Sequence, residues 1–311
     1  MAKKKVNTQK TYADLIKGRR ESFFETPYNL AYRCFQELGF ANKDKTFFMD
    51  NASMVIEQMR KACWEAFIPE EKKFMCSMLS ELVTDDKIEG KTPMEAIAWF
   101  VEYFSKEIYD LSLSNTQSRR SRAGKEFEAI IELILIGAGI QMDSQVNIGK
   151  KFFIEKGLAK LVDVISPGVT EFIIDKSNVV LISAKTTLRE RWQEVPEEMS
   201  RSGAKEMFLA TFDTAVSNDV LSNLYEANIS VTTTKNIKNQ YYIHNNRILT
   251  FEELIKICST NATHWKTFNY DDEQLSAKIR TIKMQMAKHK DHSFVLRHYT
   301  KLHEELKGNF I

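Results

Sequence analysis

Two charged side chains stand where lone charges are rare. Asp163 lies in the apolar run from Leu161 to Ile165, and Lys185 closes the run from Val179 to Ala184. A charge in such a setting is expected to be paired or to hold a metal. Side chains alternate along a strand, so Asp163 should point away from Val162 and Val164, while Ser183 and Lys185 share a face. If the two runs are neighbouring strands, Asp163 and Lys185 meet at one end of a sheet. Phosphodiester hydrolysis uses such a set: carboxylates to hold Mg2+, the ion to neutralise developing charge, and a lysine to orient the nucleophile or stabilise the transition state. A further acid should come from a nearby helix, and Glu198 falls in the first turn of one that Pro196 opens, close to Glu194 and Glu197. On spacing alone a structural ion pair and acids favouring a helix dipole explain the same residues.

The elements that would position these groups change along the chain. Thr26-Pro27 reads as a helix start with a stop near Gly39, a second helix is expected over about 51–67, and a third from Pro69. Thr92 and Glu95 form a capping box opening a long helix through Ile108. From Leu111 to Arg122 the polar text reads as a loop with a basic edge, followed by an apolar helix from Phe127 to Gly137–Gly139. Strand-like runs then dominate, at 145–148, 161–165, 171–174, 179–184, 207–212 and 229–233, with helices near 196–203 and 216–226. Thr250 and Glu253 form a second capping box, and 271–309 reads as one or two helices. The pattern predicts an α/β fold, a central mixed sheet flanked by helices, with a mainly helical N-terminal part. The division expected is 1–115 helical, 116–270 a core, and 271–311 helices packed on it.

Composition narrows the classes. With 44 Lys and Arg against 42 Asp and Glu, the net charge of +2 does not itself indicate a nucleic-acid binder. The basic Lys3, Lys4 and Lys5 read as a solvated arm. Cys34, Cys63, Cys76 and Cys258 lack metal spacing and read as reduced, mostly buried thiols. His289, His292 and His303 lack zinc-protease spacing and read as surface residues. No apolar run reaches the ~20 residues of a membrane span, and the start lacks a signal peptide's apolar core, so a soluble intracellular protein is expected.

Together, Asp163, Ser183-Ala184-Lys185 and Glu198 resemble the PD-(D/E)xK nuclease core in its CCGG-family variant. There the acid usually found two residues before the lysine is replaced by one from a helix. Arg189-Glu190-Arg191, three residues after the lysine, is similar to that family's recognition motif. The resemblance extends to the SsoII-like branch of type II restriction endonucleases, which cut at CCNGG. It implies that Asp163, Glu198 and the Ala184 carbonyl bind Mg2+, that Lys185 stands beside the attacking water, and that Glu128 on the preceding helix supports the site.

The triplet also makes physical sense as a base reader. An Arg fork matches O6 and N7 of guanine, and Glu accepts from N4 of cytosine. The branch extrudes the central nucleotides of its site, and Arg60 and Trp64, one helical turn apart, match the pocket for them; core packing is the competing reading of Trp64. Gln117 is positioned for the minor groove, and Arg119, Arg120 and Arg122 for phosphates.

The expectation is thus a Mg2+-dependent endonuclease cutting before the first C of CCNGG, acting as a homodimer on double-stranded DNA. The resemblance implies a bacterial cytoplasmic restriction-modification system whose companion cytosine methyltransferase acts on the same site without implied contact. A non-catalytic or regulatory DNA-binding protein on this fold, or a structure-specific nuclease, is the rival.

Overall fold

The computed structural model describes residues 11–158, 160 and 162–308, and leaves out the side chains of Glu190, Arg191 and Glu198. The basic arm at Lys3–Lys5 lies outside the described residues. Helices α1 (Tyr12–Phe23), α2 (Pro27–Glu37) and α3 (Lys45–Ser80) open the chain, followed by the short α4 (Asp85–Ile88), α5 (Pro93–Tyr103) and α6 (Ser105–Gly137).

Local capping fixes several starts as the sequence predicts. Thr26 accepts from the Asn29 amide with Pro27 at the first helical position, and Thr92 with Glu95 closes a capping box. Three expectations fail here. Pro69 does not start a helix but lies inside α3, whose irregular backbone is instead at Asn51 (φ −124°, ψ 20°). Burial of Phe67, Glu71, Phe74 and Met78 on either side of Pro69 offsets its missing amide. The helix opened at Thr92 breaks at Phe104, where φ is −109° and ψ 26°. The polar stretch 111–122 is not a loop but the middle of α6. Its inward positions Leu111, Asn115 and Arg122 are buried, and Arg20 reaches Ser114 and Asn115 from α1. Polar packing across helices thus does what an apolar stripe usually does.

The sheet has six strands in sequential order: β1 (Asp143–Ser144), β2 (Val164–Ser166), β3 (Val180–Lys185), β4 (Met207–Thr211), β5 (Ile229–Thr233) and β6 (Ile248–Thr250). The first three are antiparallel and the last four parallel, so the sheet is mixed. The runs expected as strands at 145–148 and 171–174 are instead helices α7 (Gln145–Ile148) and α9 (Val169–Ile174), with α8 (Lys150–Glu155) between. A four-residue stretch carries no period long enough to tell strand from helix. Then come α10 (Glu194–Ser202), α11 (Asn218–Glu226), α12 (Lys235–Tyr241), α13 (Phe251–Trp265), α14 (Asp272–Lys288) and α15 (Ser293–Gly308).

The period of two along β3 divides the core. Val180, Ile182 and Ala184 face the layer of α2, α3, α6 and α13, whereas Leu181 faces α9, α10 and α11. His289 is corrected from surface to core. It is fully buried, with its Nε2 3.1 Å from the buried Glu132 of α6, a carboxylate that Tyr28 and Asn147 also meet. His292 is half-buried and meets the His289 Nδ1 at 3.2 Å. Cys34, Cys63 and Cys258 are buried and Cys76 is exposed, all as free thiols. No described helix is long and apolar enough to cross a membrane.

Candidate active site and DNA interface

Strands β2 and β3 pair with Val164 opposite Ile182, which brings Asp163 next to Ser183 and diagonal to Lys185. The regular strand begins only at Val164. Val162 therefore packs in the opposite core layer from Val164, and simple alternation about Asp163 does not hold. The Asp163 amide donates to the Ile182 carbonyl at 2.9 Å, and its Oδ2 accepts from the Ala184 amide at 2.7 Å. The Val162 carbonyl is met instead by the Gln145 side chain at 2.9 Å. The carboxylate thus ends the ladder and is locked in place by it.

Lys185 Nζ donates to Asp163 Oδ2 at 3.0 Å and to the Ala184 carbonyl at 3.1 Å. Both side chains are largely buried, 14% and 12% exposed, yet retain an opening to solvent. Burial pushes the Asp163 carboxyl up, while Lys185 and the Ala184 amide pull it down. Glu128 projects from α6 toward the same place. Burial pushes its carboxyl up to about 7, with the Asp163 charge adding and Lys185 opposing. Its half-buried setting excludes the reading of a solvated helix face.

A carboxylate and a carbonyl oxygen already converge on one cation, the Lys185 ammonium, and a second carboxyl nearby is raised by burial, with the Asp163 charge adding. These hard oxygen donors fit a divalent metal. Glu198 sits on α10, downstream of Lys185, but its side chain lies outside the described residues.

Beyond β3 the chain makes a 3-10 turn, Arg189–Gln193, which carries the Arg189-Glu190-Arg191 triplet. The side chains of Glu190 and Arg191 lie outside the described residues; Arg189 is exposed with φ at 42°. Asp213 anchors this turn, a role not found in the sequence. Its Oδ2 accepts from the Leu188 amide at 2.9 Å, and its Oδ1 from the Ala215 amide at 3.1 Å. The signal was an acid just past a parallel strand, but only the register of Lys185 with Thr211 brings it here.

Arg60 and Trp64 line a pocket of about 380 Å³ with Glu57, Cys63, Glu126 and Phe127. Trp64 is 50% exposed, which sets aside core packing. The Arg60 guanidinium lies 3.7 Å from the centre of the Phe212 ring, a support the sequence reading missed. Gln117 is exposed on α6, in a helix rather than a loop.

The three arginines differ. Arg120 is exposed. Arg119 grips the buried Glu71 with a forked pair and lies over Trp64 at 5.6 Å. Arg122 is buried, donating to the Glu25 carbonyl at 2.9 Å and to Glu126 at 3.2 Å, with Phe67 beneath it. Arg122 is therefore corrected from phosphate contact to structural cation, because its side chain is buried and donates inside the fold to Glu25 and Glu126.

The family described as EcoRII C terminal matches residues 87–255, more than half of the chain. The type II restriction enzyme SsoII of Shigella sonnei is 46% identical over 288 residues, 93% of this chain and 94% of that protein. The chain belongs to this family of type II restriction endonucleases.

Membership makes it a site-specific deoxyribonuclease of the SsoII and Ecl18kI kind. Metal-depleted Ecl18kI in complex with uncleaved, modified DNA superposes with a TM-score of 0.90 at 44% identity, covering 94% of this chain and 98% of that one. The PspGI–substrate DNA complex has a TM-score of 0.56 at 19% identity, covering 78% of this chain and 94% of the other, a likeness of fold alone. The fold is thus the restriction-endonuclease core with a helical N-terminal part, and the non-catalytic rival falls away.

Proposed function

We propose that the enzyme is a Mg2+-dependent homodimer that cuts double-stranded DNA at CCNGG, before the first C of each strand, and extrudes the central nucleotides. The observation that carries this is the meeting of Asp163 Oδ2, the Ala184 carbonyl and Lys185 Nζ within 3.1 Å, beside the turn bearing Arg189. Asp163, Glu198 and the Ala184 carbonyl would hold Mg2+, which would supply charge neutralisation and an activated water. Lys185 would orient the attacking water in line with the phosphorus, and Glu128, its carboxyl pushed up to about 7 mainly by burial, would support the site from α6. Breaking the P–O3′ bond leaves a 5′-phosphate and a 3′-hydroxyl.

Arg189 and Arg191 read guanines through O6 and N7, and Glu190 accepts from a cytosine amino group. An extruded base enters the 380 Å³ pocket to stack on Trp64 under Arg60. Gln117 approaches the minor groove and Arg120 holds a phosphate. On this reading residues 1–115 supply the base pocket and dimer contacts, 116–270 the chemistry, and 271–311 a brace on the core, with α6 crossing the first boundary. In the cell, a cytosine methyltransferase of the same specificity would protect the site.

Digesting a plasmid of known sequence with Mg2+ and sequencing the ends tests site and cut position together. Cleavage at wild-type rate by Asp163→Ala would place the chemistry elsewhere. For extrusion, 2-aminopurine at the central position should brighten on binding with Ca2+ in place of Mg2+; unchanged fluorescence rejects it.

A further inference from the structure

The turn that follows β4 serves two neighbours at once. Phe208, Ala210 and Phe212 line one core layer, and alternation sends Asp213 to the other side, where Leu188 lies. Phe212 carries the Arg60 guanidinium over its ring at 3.7 Å, while Asp213 takes the Leu188 amide at 2.9 Å. Two adjacent residues thus fix, in opposite directions, a wall of the 380 Å³ pocket and the foot of the turn bearing Arg189.

What fixes the turn after β4 is Tyr242. Its hydroxyl donates to the Asp213 carbonyl at 2.8 Å and accepts from the Val216 amide at 3.1 Å, so both bonding modes of a phenol restrain the same turn. Among the described residues, no other side chain from outside the turn bonds to the main chain of 213–216. The Tyr242 ring is buried in the core layer of Leu221, Leu224 and Ile248, which holds the hydroxyl in place. Tyr242 also caps the end of α12, whose start is tied to α3. The Lys235 amide donates to the Ser53 hydroxyl at 3.0 Å, and the Asn236 amide group donates to Glu57 at 2.6 Å. Glu57 stands three residues before Arg60 and lines the same pocket. The contacts therefore close a ring, from α3 through Phe212, the turn and Tyr242 to α12 and back to α3.

We propose that Tyr242 is a positioning residue that couples base reading to base extrusion, by holding the one turn from which the Arg189 turn and the base pocket both take their place. The proposal rests on the base-reading and extrusion roles proposed above and names the residue that joins them. Tyr242 acts through Asp213 on one side and Phe212 on the other. Loss of its hydroxyl frees the turn, and both devices lose their aim together.

Tyr242→Phe in the full chain tests this, since it keeps the buried ring and removes only the oxygen; circular dichroism should be unchanged. In Ca2+, preference for a CCNGG duplex over one mismatched at an outer C·G pair should fall roughly fivefold. With 2-aminopurine at the central position, brightening at saturation should fall by about half. Affinity for unrelated duplex, which rests on phosphate contacts, should stay as in wild type. Asp213→Ala/Tyr242→Phe separates the two arms. Its discrimination should be no worse than that of Asp213→Ala, where that arm is already cut, whereas its brightening should fall below that of Asp213→Ala through Phe212. Wild-type discrimination and brightening in Tyr242→Phe overturn the proposal. A fall in only one of them overturns the coupling, and an equal loss of affinity for unrelated duplex overturns it in favour of a general loosening of the fold. Failure of the underlying roles looks different, because wild type itself then shows no preference for CCNGG or no brightening, and the proposal falls with them.

Discussion

At the scale of single residues, neighbouring arginines on one helix have opposite fates. Arg119 neutralises a carboxylate that is 1% exposed, so Arg119→Ala leaves Glu71 buried without its forked partner and with only the charge of Arg20 nearby, at a cost of about 3 kcal/mol. Chemical denaturation should show that loss before any effect on DNA is interpretable. Arg120→Ala should leave stability within ~0.5 kcal/mol, weaken binding to all sequences alike, and reduce the slope of log affinity against log salt by about 1. A preserved slope removes Arg120 from the phosphate contacts. Asp143 gives the residue-scale pH prediction. It is buried on β1, accepts from the Val169 amide at 2.8 Å, and is pushed up to about 6 by burial, with Glu171 adding. The folded protein then binds this proton more tightly than the unfolded chain, whose carboxyl keeps its ordinary value near 3.9. The stability it contributes is present below about 4 and lost as pH rises through about 6. Against Asp143→Asn, wild type should lose about 2 to 3 kcal/mol relative stability over that window and run parallel above it; urea midpoints from pH 4 to 7.5 read this directly.

At the scale of elements, the turn after β3 turns a chemical motif into a positioned one. Asp213→Ala removes the acceptors of the Leu188 and Ala215 amides and should cost about 1 kcal/mol of stability. The greater effect should be on discrimination, with preference for cognate over mismatched duplex falling roughly tenfold as the triplet loses its aim. Asp213→Asn, which keeps a carbonyl acceptor, should restore most of it; competitive binding in Ca2+ distinguishes this from general weakening. What the sequence disclosed and what it hid divide along the same line. Thr26, Thr92 and Thr250 were legible as helix starts because a cap is a bond between residues three apart. Asp163 and Lys185 were legible because the motif lies in one ribbon. The middle of α6 was not, since Asn115 and Arg122 are buried only by partners on other parts of the chain. Asp213, Phe212 and Glu71 were hidden for the same reason: strand register and helix packing alone bring them to Leu188, Arg60 and Arg119.

At the scale of the whole molecule, the chain holds one set of Asp163, Lys185 and Glu128, whereas a double-strand break needs two hydrolyses at phosphates related by twofold symmetry. If each copy in the dimer serves one strand, the two reactions are separable. Mixed dimers of wild type and Asp163→Ala, made by co-expressing differently tagged chains, should bind cognate DNA like the parent, because the altered carboxylate lies at the end of the sheet rather than on the turn proposed to read the bases. On supercoiled plasmid with a single site they should convert the substrate to the open-circular form and stop. Wild-type dimers pass through that form to linear DNA, and Asp163→Ala dimers do neither. The nick should fall in the top or bottom strand with equal frequency, since a twofold site accepts the mixed dimer in either orientation. Linear product from purified mixed dimers at the wild-type rate would mean that one active centre serves both strands, and the assignment of one copy per strand would fail.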